Sequence, residues 1–170
     1  MICFFDVDGV FTDGGFYQSI DGKQLKKFGA DDWDALDVLM KYHEVRFITA
    51  DKKGFPIVKS RFVEKGGKDW EWNLHLVSNK PDLRWTWILS FAVGKLYNPD
   101  DIVYVGDGIF DYFSLKNAAL GITTCDALDH VIDAADVVIN RKGGSRFVAE
   151  CCLEILRRTV TGFKIEEIGQ

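Results

Sequence analysis

Asp6 and Asp8 stand two residues apart in Phe4-Phe5-Asp6-Val7-Asp8-Gly9-Val10-Phe11-Thr12-Asp13-Gly14. Successive side chains of a strand point to opposite faces, so residues two apart share a side and these carboxylates can converge on one small volume. Like charges that close repel strongly unless a cation or a proton sits with them. Groups of complementary chemistry recur along the chain: the hydroxyl of Thr49, the ammonium of Lys80, and the carboxylates of Asp107 and Asp111 in Gly106-Asp107-Gly108-Ile109-Phe110-Asp111.

A short apolar run precedes each of these groups, at residues 2–5, 45–49, 72–77 and 102–105. Such runs read as buried strands, and ligands of an open parallel sheet bind at the strands' carboxyl ends. Helical spacing covers 30–43, 55–65 (ended by Gly66-Gly67), 83–96, 111–117, 127–134 and 147–158, with further strands at 121–123 and 137–140. Strands alternating with helices predict an α/β fold, a Rossmann-like parallel sheet flanked by helices. Asp21-Gly22 between two alternating segments predicts a β-hairpin insertion over 16–28. No interval between the chemical residues is long enough for a cap domain. A single domain over 1–160 is expected, with a loosely held tail at 161–170.

The motif Asp-x-Asp-Gly-Val-x-Thr-Asp, present as Asp6 to Asp13, resembles the signature of the haloacid dehalogenase superfamily of phosphohydrolases. Within it, the chain from Ile2 to about Leu156 looks like the small, capless sugar-acid phosphatases that act on 3-deoxy-octulosonate 8-phosphate or on the 9-phosphates of nonulosonic acids. The resemblance implies roles for the residues. Asp6 would be the nucleophile that forms an aspartyl phosphate, and Asp8 the acid and base. Thr49 and Lys80 would bind the phosphate. Asp6, the main-chain oxygen of Asp8, and Asp107 would hold Mg²⁺, a hard cation that prefers oxygen ligands, with Asp111 as a further ligand or a support. Asp8, two residues after the nucleophile, accompanies phosphatases and mutases in that superfamily and points to phosphomonoester hydrolysis.

Two departures from the family pattern bear on specificity. Thr-Gly-Arg after the second strand is here Thr49-Ala50-Asp51, so an arginine able to meet a substrate carboxylate is missing, and Lys52 or Lys53 substitutes for it only in part. In the terminal glycine motif, Gly143-Gly144-Ser145-Arg146-Phe147-Val148-Ala149-Glu150, Ala149 stands in place of an arginine. Phosphate chemistry is expected to be intact and sugar-acid recognition altered.

Composition narrows the alternatives. The 170 residues carry a net charge of −5, which disfavours sequence-independent nucleic-acid binding. The longest apolar stretch, 85–93, is far short of a membrane span, which takes about 20 residues. With no export signal evident, a cytoplasmic location is expected. Cys3, Cys125, Cys151 and Cys152 show neither metal-ligand spacing nor a disulfide framework. His43, His75 and His130 lie outside the motifs, and Trp85, Trp87 and Phe91 read as core or subunit contact. Two rival readings remain beside a small-metabolite phosphatase: a catalytically silent assembly domain of the same fold, and a capless phosphatase of nucleic-acid or other macromolecular ends. The apolar hairpin residues Phe16, Tyr17, Ile20, Leu25 and Phe28, and the resembling phosphatases, predict a homo-oligomer, a tetramer in which the hairpin helps cover a neighbour's site.

Overall fold

The structure is a computed structural model that describes residues 1–71 and 73–167. Its frame is a six-stranded parallel sheet in the order β5-β4-β1-β6-β7-β8, with β1 (Ile2–Asp6), β4 (Glu44–Thr49), β5 (Leu74–Leu76), β6 (Ile102–Val105), β7 (Leu120–Thr124) and β8 (Val137–Ile139). All five residues of β1 are buried, as expected of a central strand covered on both faces. The chain runs outward from β1 to β4 and β5, then returns to β6 on the other side. That reversal places a crevice at the carboxyl ends of β1, β4 and β6, where ligands of such sheets bind.

Alternation along the strands feeds two apolar layers. Cys3 and Phe5 join Val45, Phe47, Val103 and Val105 beneath α1 (Asp32–Leu39), α2 (Phe55–Glu71) and α6 (Phe147–Thr159). Ile2 and Phe4 join Ile102 and Tyr104 beneath α3 (Pro81–Gly94), α4 (Tyr112–Asn117) and α5 (Asp129–Ile132). Asp6 has the parity of Ile2 and Phe4, so its side chain belongs to the α3 face. Tertiary packing also redraws one boundary. Gly67 does break α2, with φ 68°, but helix resumes as far as Glu71 instead of ending at the glycine pair. Resumption buries Trp70, whose ring stacks on Phe47 with centroids 5.5 Å apart. The expected start of the next strand at Trp72 lies outside the described residues, and β5 begins at Leu74. Helix α4 begins at Tyr112, after a 3-10 turn over Ile109–Asp111, and α5 is a single turn.

The hairpin forms as expected, pairing β2 (Tyr17–Ser19) with β3 (Gly22–Leu25) in an antiparallel ribbon hydrogen-bonded to no other strand among the described residues. Phe16 is 49% exposed, Tyr17 71% and Leu25 61%, and Ile20 is fully exposed. After the ribbon the chain folds back along the β1 loop, with Phe28 bridging to Thr12 and Gly29 N–H donating to the Phe11 carbonyl at 3.3 Å. The expected tail is described as far as a 3-10 turn over Ile165–Glu167, and residues 168–170 lie outside the described ones.

Candidate active site

Asp6 ends β1 and Asp8 lies in the turn that follows, closed by amides of Val10 and Phe11 donating to the Val7 carbonyl at 3.3 and 3.0 Å. Gly9, at φ 84°, is required there twice over. A side chain would be strained at that angle, and a Cβ would lie 2.0 Å from Oδ2 of Asp107. The turn is held from outside by Gly144 N–H on the Val10 carbonyl at 3.0 Å, which accounts for the terminal glycine motif. Asp6, Asp8, Asp107 and Asp111 all line one cavity of about 310 Å³, together with Arg84 and Phe110. A larger groove of about 730 Å³ adjoins it through Ala50 and Asp51 and continues along Lys52, Lys53, Ser78 and Asn79.

The inner part of the site is an almost dry cluster around Arg84, whose side chain is 4% exposed. Its Nη1 donates to Oδ1 of Asp6 at 3.1 Å, to the Tyr104 hydroxyl at 3.3 Å and to Oδ1 of Asp111, while Nε reaches the Ser78 carbonyl at 3.3 Å. Tyr104 also donates to Oδ1 of Asp111. The other oxygen of Asp111 accepts the amides of Asp107 and Gly108 at 3.1 and 2.9 Å. Both Asp111 oxygens are thus engaged by protein, and the carboxylate shapes the loop that presents Asp107.

The Asp107 carboxylate is different. Its Oδ1 is buried and has no hydrogen-bond partner among the described residues, and an orphaned acceptor of this kind is costly unless a cation meets it. Ligand atoms of Asp6, Asp107 and Asp111 lie within 4.8 Å of one another. Burial first, then the nearby Asp111 and Asp126 carboxylates, push the Asp107 carboxyl up to about 7. Burial and Asp111 likewise hold the Asp6 carboxyl well above the usual range, with Arg84 pulling the other way. An all-oxygen donor set with surplus negative charge fits a hard divalent cation on Asp6 and Asp107.

The outer part of the site surrounds Asp8. Thr49 ends β4 and its hydroxyl donates to Oδ2 of Asp8 at 3.0 Å. Oδ1 of Asp8 pairs with Lys26, whose ammonium also lies 2.8 Å from Asp51 Oδ2, the same oxygen that takes Lys23 at 2.7 Å. Burial opposes the charged form of Asp51, but the hydrogen bonds from Lys23 and Lys26 outweigh it and keep the carboxyl well below its ordinary range.

Asp6, Asp8, Thr49, Asp107 and Asp111 therefore come together as expected, whereas Lys80 does not join them. Lys80 sits at the N-cap of α3 in an extended conformation, as the residue before Pro81 must, with its side chain exposed and outside the cavity lining. The cation that α3 does bring to the acidic centre is Arg84, one turn further on. Sequence reasoning passed over Arg84 and Lys26, and it singled out Asp51 only as the residue standing where the family pattern has arginine. Arg84 is the only charged residue from 83 to 93, and that lone charge was the one available signal.

No protein-family model matches the chain. It is 30% identical over 151 residues to the 3-deoxy-D-manno-octulosonate 8-phosphate phosphatase of Salmonella typhi, covering 86% of this chain and 74% of that protein. Among solved structures, it resembles the 3-deoxy-D-manno-octulosonate 8-phosphate phosphatase of Moraxella catarrhalis, in complex with magnesium ion, phosphate ion and KDO, with a TM-score of 0.79 and 22% identity over 92% of this chain and 85% of that one. The cobalt-bound enzyme of Haemophilus influenzae gives a TM-score of 0.78 and 24% identity over 92% and 86%. These two likenesses bear on the fold, and the Salmonella relative on descent. With its motif acids gathered at the carboxyl edge of a matching sheet, the chain belongs to the 3-deoxy-D-manno-octulosonate 8-phosphate phosphatase family of the haloacid dehalogenase superfamily.

Proposed function

We propose that this protein is a Mg²⁺-dependent phosphatase that releases phosphate from 3-deoxy-D-manno-octulosonate 8-phosphate. The observation that carries the reading is the meeting of Asp6, Asp8 and Asp107 in one cavity, with an Asp107 oxygen that no group among the described residues satisfies. Asp6 attacks phosphorus as the bond to the sugar oxygen breaks, and Asp8 gives its proton to that leaving oxygen. Asp8, now a carboxylate, takes a proton from water, which displaces Asp6 from phosphorus and restores both groups. Asp6, Asp107 and the main-chain oxygen of Asp8 would hold a magnesium ion, which would supply the charge that lets a carboxylate approach a phosphate dianion. Arg84 holds one oxygen of Asp6 in place, and Asp111 holds the Asp107 loop. Lys80 reaches the phosphate only if its exposed side chain turns inward.

Phosphate release from 3-deoxy-D-manno-octulosonate 8-phosphate, with Mg²⁺ and with a chelator, tests the reading. Turnover that needs Mg²⁺ is expected. No release from this substrate beside release from a nonulosonate 9-phosphate would move the assignment to the other sugar acid, and Mg²⁺-independent release would overturn the metal. A catalytically silent domain would have no reason to keep this acid cluster assembled.

The assignment extends to the setting of the enzyme. Among the described residues no helix is long and apolar enough to cross a membrane. All four cysteines are free, three of them buried, which favours a reducing compartment and a cytoplasmic enzyme. The exposed Phe16, Tyr17, Ile20 and Leu25 support a homotetramer that buries the ribbon. Light scattering should give four subunits, and replacing Ile20 and Leu25 by Asp should dissociate them. A monomer with full activity would refute this assembly.

A further inference from the structure

We propose that Lys26 is a positioning residue for Asp8, and that Asp51 holds Lys26 there, so that the hairpin side of the chain serves catalysis within its own subunit. The inference rests on the reading of Asp8 as acid and base. Lys26 follows β3 directly, yet its side chain is only 1% exposed while Leu25 beside it is 61% exposed. The ammonium lies between Oδ1 of Asp8 and Oδ2 of Asp51. Asp51 is itself fixed, its Oδ1 accepting Gly54 N–H at 3.0 Å and its own amide donating to the Thr49 hydroxyl at 3.0 Å. Since Thr49 donates to the other Asp8 oxygen, groups from two separate segments hold the two oxygens of one carboxylate.

A general acid works only when its proton lies within hydrogen-bond reach of the leaving oxygen, and a carboxyl free to rotate spends little time there. Lys26 and Thr49 remove that freedom. When Asp8 gives its proton to the sugar oxygen, the new carboxylate forms beside an ammonium already in place, and Lys26 neither gains nor loses a proton at any step. The same arrangement gives a purpose to Asp51, the acid found where the family pattern has arginine: it anchors the lysine that aligns the catalytic acid.

Gly54 offers a way to disturb this arrangement without removing a charge. A Cβ there would lie 2.2 Å from Oδ2 of Asp51 and 2.6 and 2.7 Å from Cε and Nζ of Lys26. These are ends of flexible side chains, so Gly54→Ala displaces them and leaves the fold standing. The experiment compares the single-turnover rate of leaving-group release from 3-deoxy-D-manno-octulosonate 8-phosphate, whose alkoxide must be protonated as it leaves, with that from p-nitrophenyl phosphate, whose phenolate leaves unprotonated; this step precedes the hydrolysis in which Asp8 serves as base for either substrate. For Lys26→Met and Gly54→Ala, this rate is expected to fall about a hundredfold on the sugar phosphate and under about threefold on the aryl phosphate. Lys26→Arg should recover most of the loss. Should Lys26→Met fail to fold, Gly54→Ala decides alone. Asp8→Asn must show the same inequality between substrates: if it loses equally on both, Asp8 is not the acid and the inference falls with that reading. If Asp8→Asn shows the inequality while Lys26→Met or, failing that, Gly54→Ala does not, the positioning role alone is overturned.

Discussion

The two halves of the site treat their carboxylates in opposite ways. Around Arg84, Asp6 and Asp111 are 8% and 1% exposed, and the groups that hydrogen-bond these two carboxylates come from β6, α3 and the loop before α4. Around Lys26, Asp8 and Asp51 are 31% and 16% exposed, and the cation arrives from the far side of a two-stranded ribbon. A charge pair without water must be complete, because either member left alone is an uncompensated buried charge. A pair that water can reach loses less when broken. The inner cluster therefore supports both fold and chemistry, and the outer one is free to serve chemistry alone.

That difference is easiest to break at its centre. Asp6→Asn should leave the fold intact and lower kcat by about 10⁴-fold or more, because an amide is a poor nucleophile toward phosphorus. Appreciable phosphate release by a clean preparation of this variant would remove Asp6 from its role. Asp107→Ala should weaken Mg²⁺ binding about a hundredfold or more and reduce activity in step, which calorimetry and kinetics measure separately. Unchanged Mg²⁺ affinity would place the ion elsewhere.

The contrast between the cations is sharpened by thermal denaturation. Arg84→Met should cost about 3–5 kcal/mol and lower Tm by about 10 °C, since Asp6 and Asp111 would share a buried volume without their cation. Lys26→Met should lower Tm by only about 3 °C, because water can reach both of its partners. Equal losses would mean that the two clusters do not differ in kind.

Asp32 is a control for both, a buried carboxylate paired with no cation among the described residues. Its Oδ1 accepts Ala149 N–H at 3.0 Å and its Oδ2 has no partner among the described residues. Burial raises its carboxyl from 3.8 to about 6, opposed by the Ala149 amide. Its folded value lies above its unfolded one, so the stability it contributes is fully present below about 3.8 and is lost as pH rises through about 6. Asp32→Asn should be neutral near pH 4 and raise Tm by about 3 °C at pH 7. A variant no more stable than the parent at pH 7 would show that the buried Asp32 charge costs the fold nothing and that its carboxyl is not raised.

Much of this is legible in the amino-acid sequence, and the reason lies in range. Asp6, Asp8, Thr49 and Asp107 each follow a strand at a fixed short spacing, and a parallel sheet gathers strand ends by its own construction. Asp111 was legible for the same reason, four residues after Asp107, although its role as a support for the loop emerges only from its four hydrogen bonds. The end of α2 was not legible. A left-handed glycine reads as a stop, and only the slot for Trp70 against Phe47 explains why helix resumes beyond it.

The sequence by itself determined the order of strands and helices, the two faces of the sheet and the carboxylates at its edge, because periodicity and local spacing act within a few residues. Tertiary structure alone decided which cations meet those carboxylates. Arg84 reaches Asp6 across 78 residues and Lys26 reaches Asp8 across 18, while Lys80, the cation nearest to the motif pattern, points to solvent. Charge pairing of this kind depends on where the chain returns in space, and helical or strand periodicity carries no record of that return.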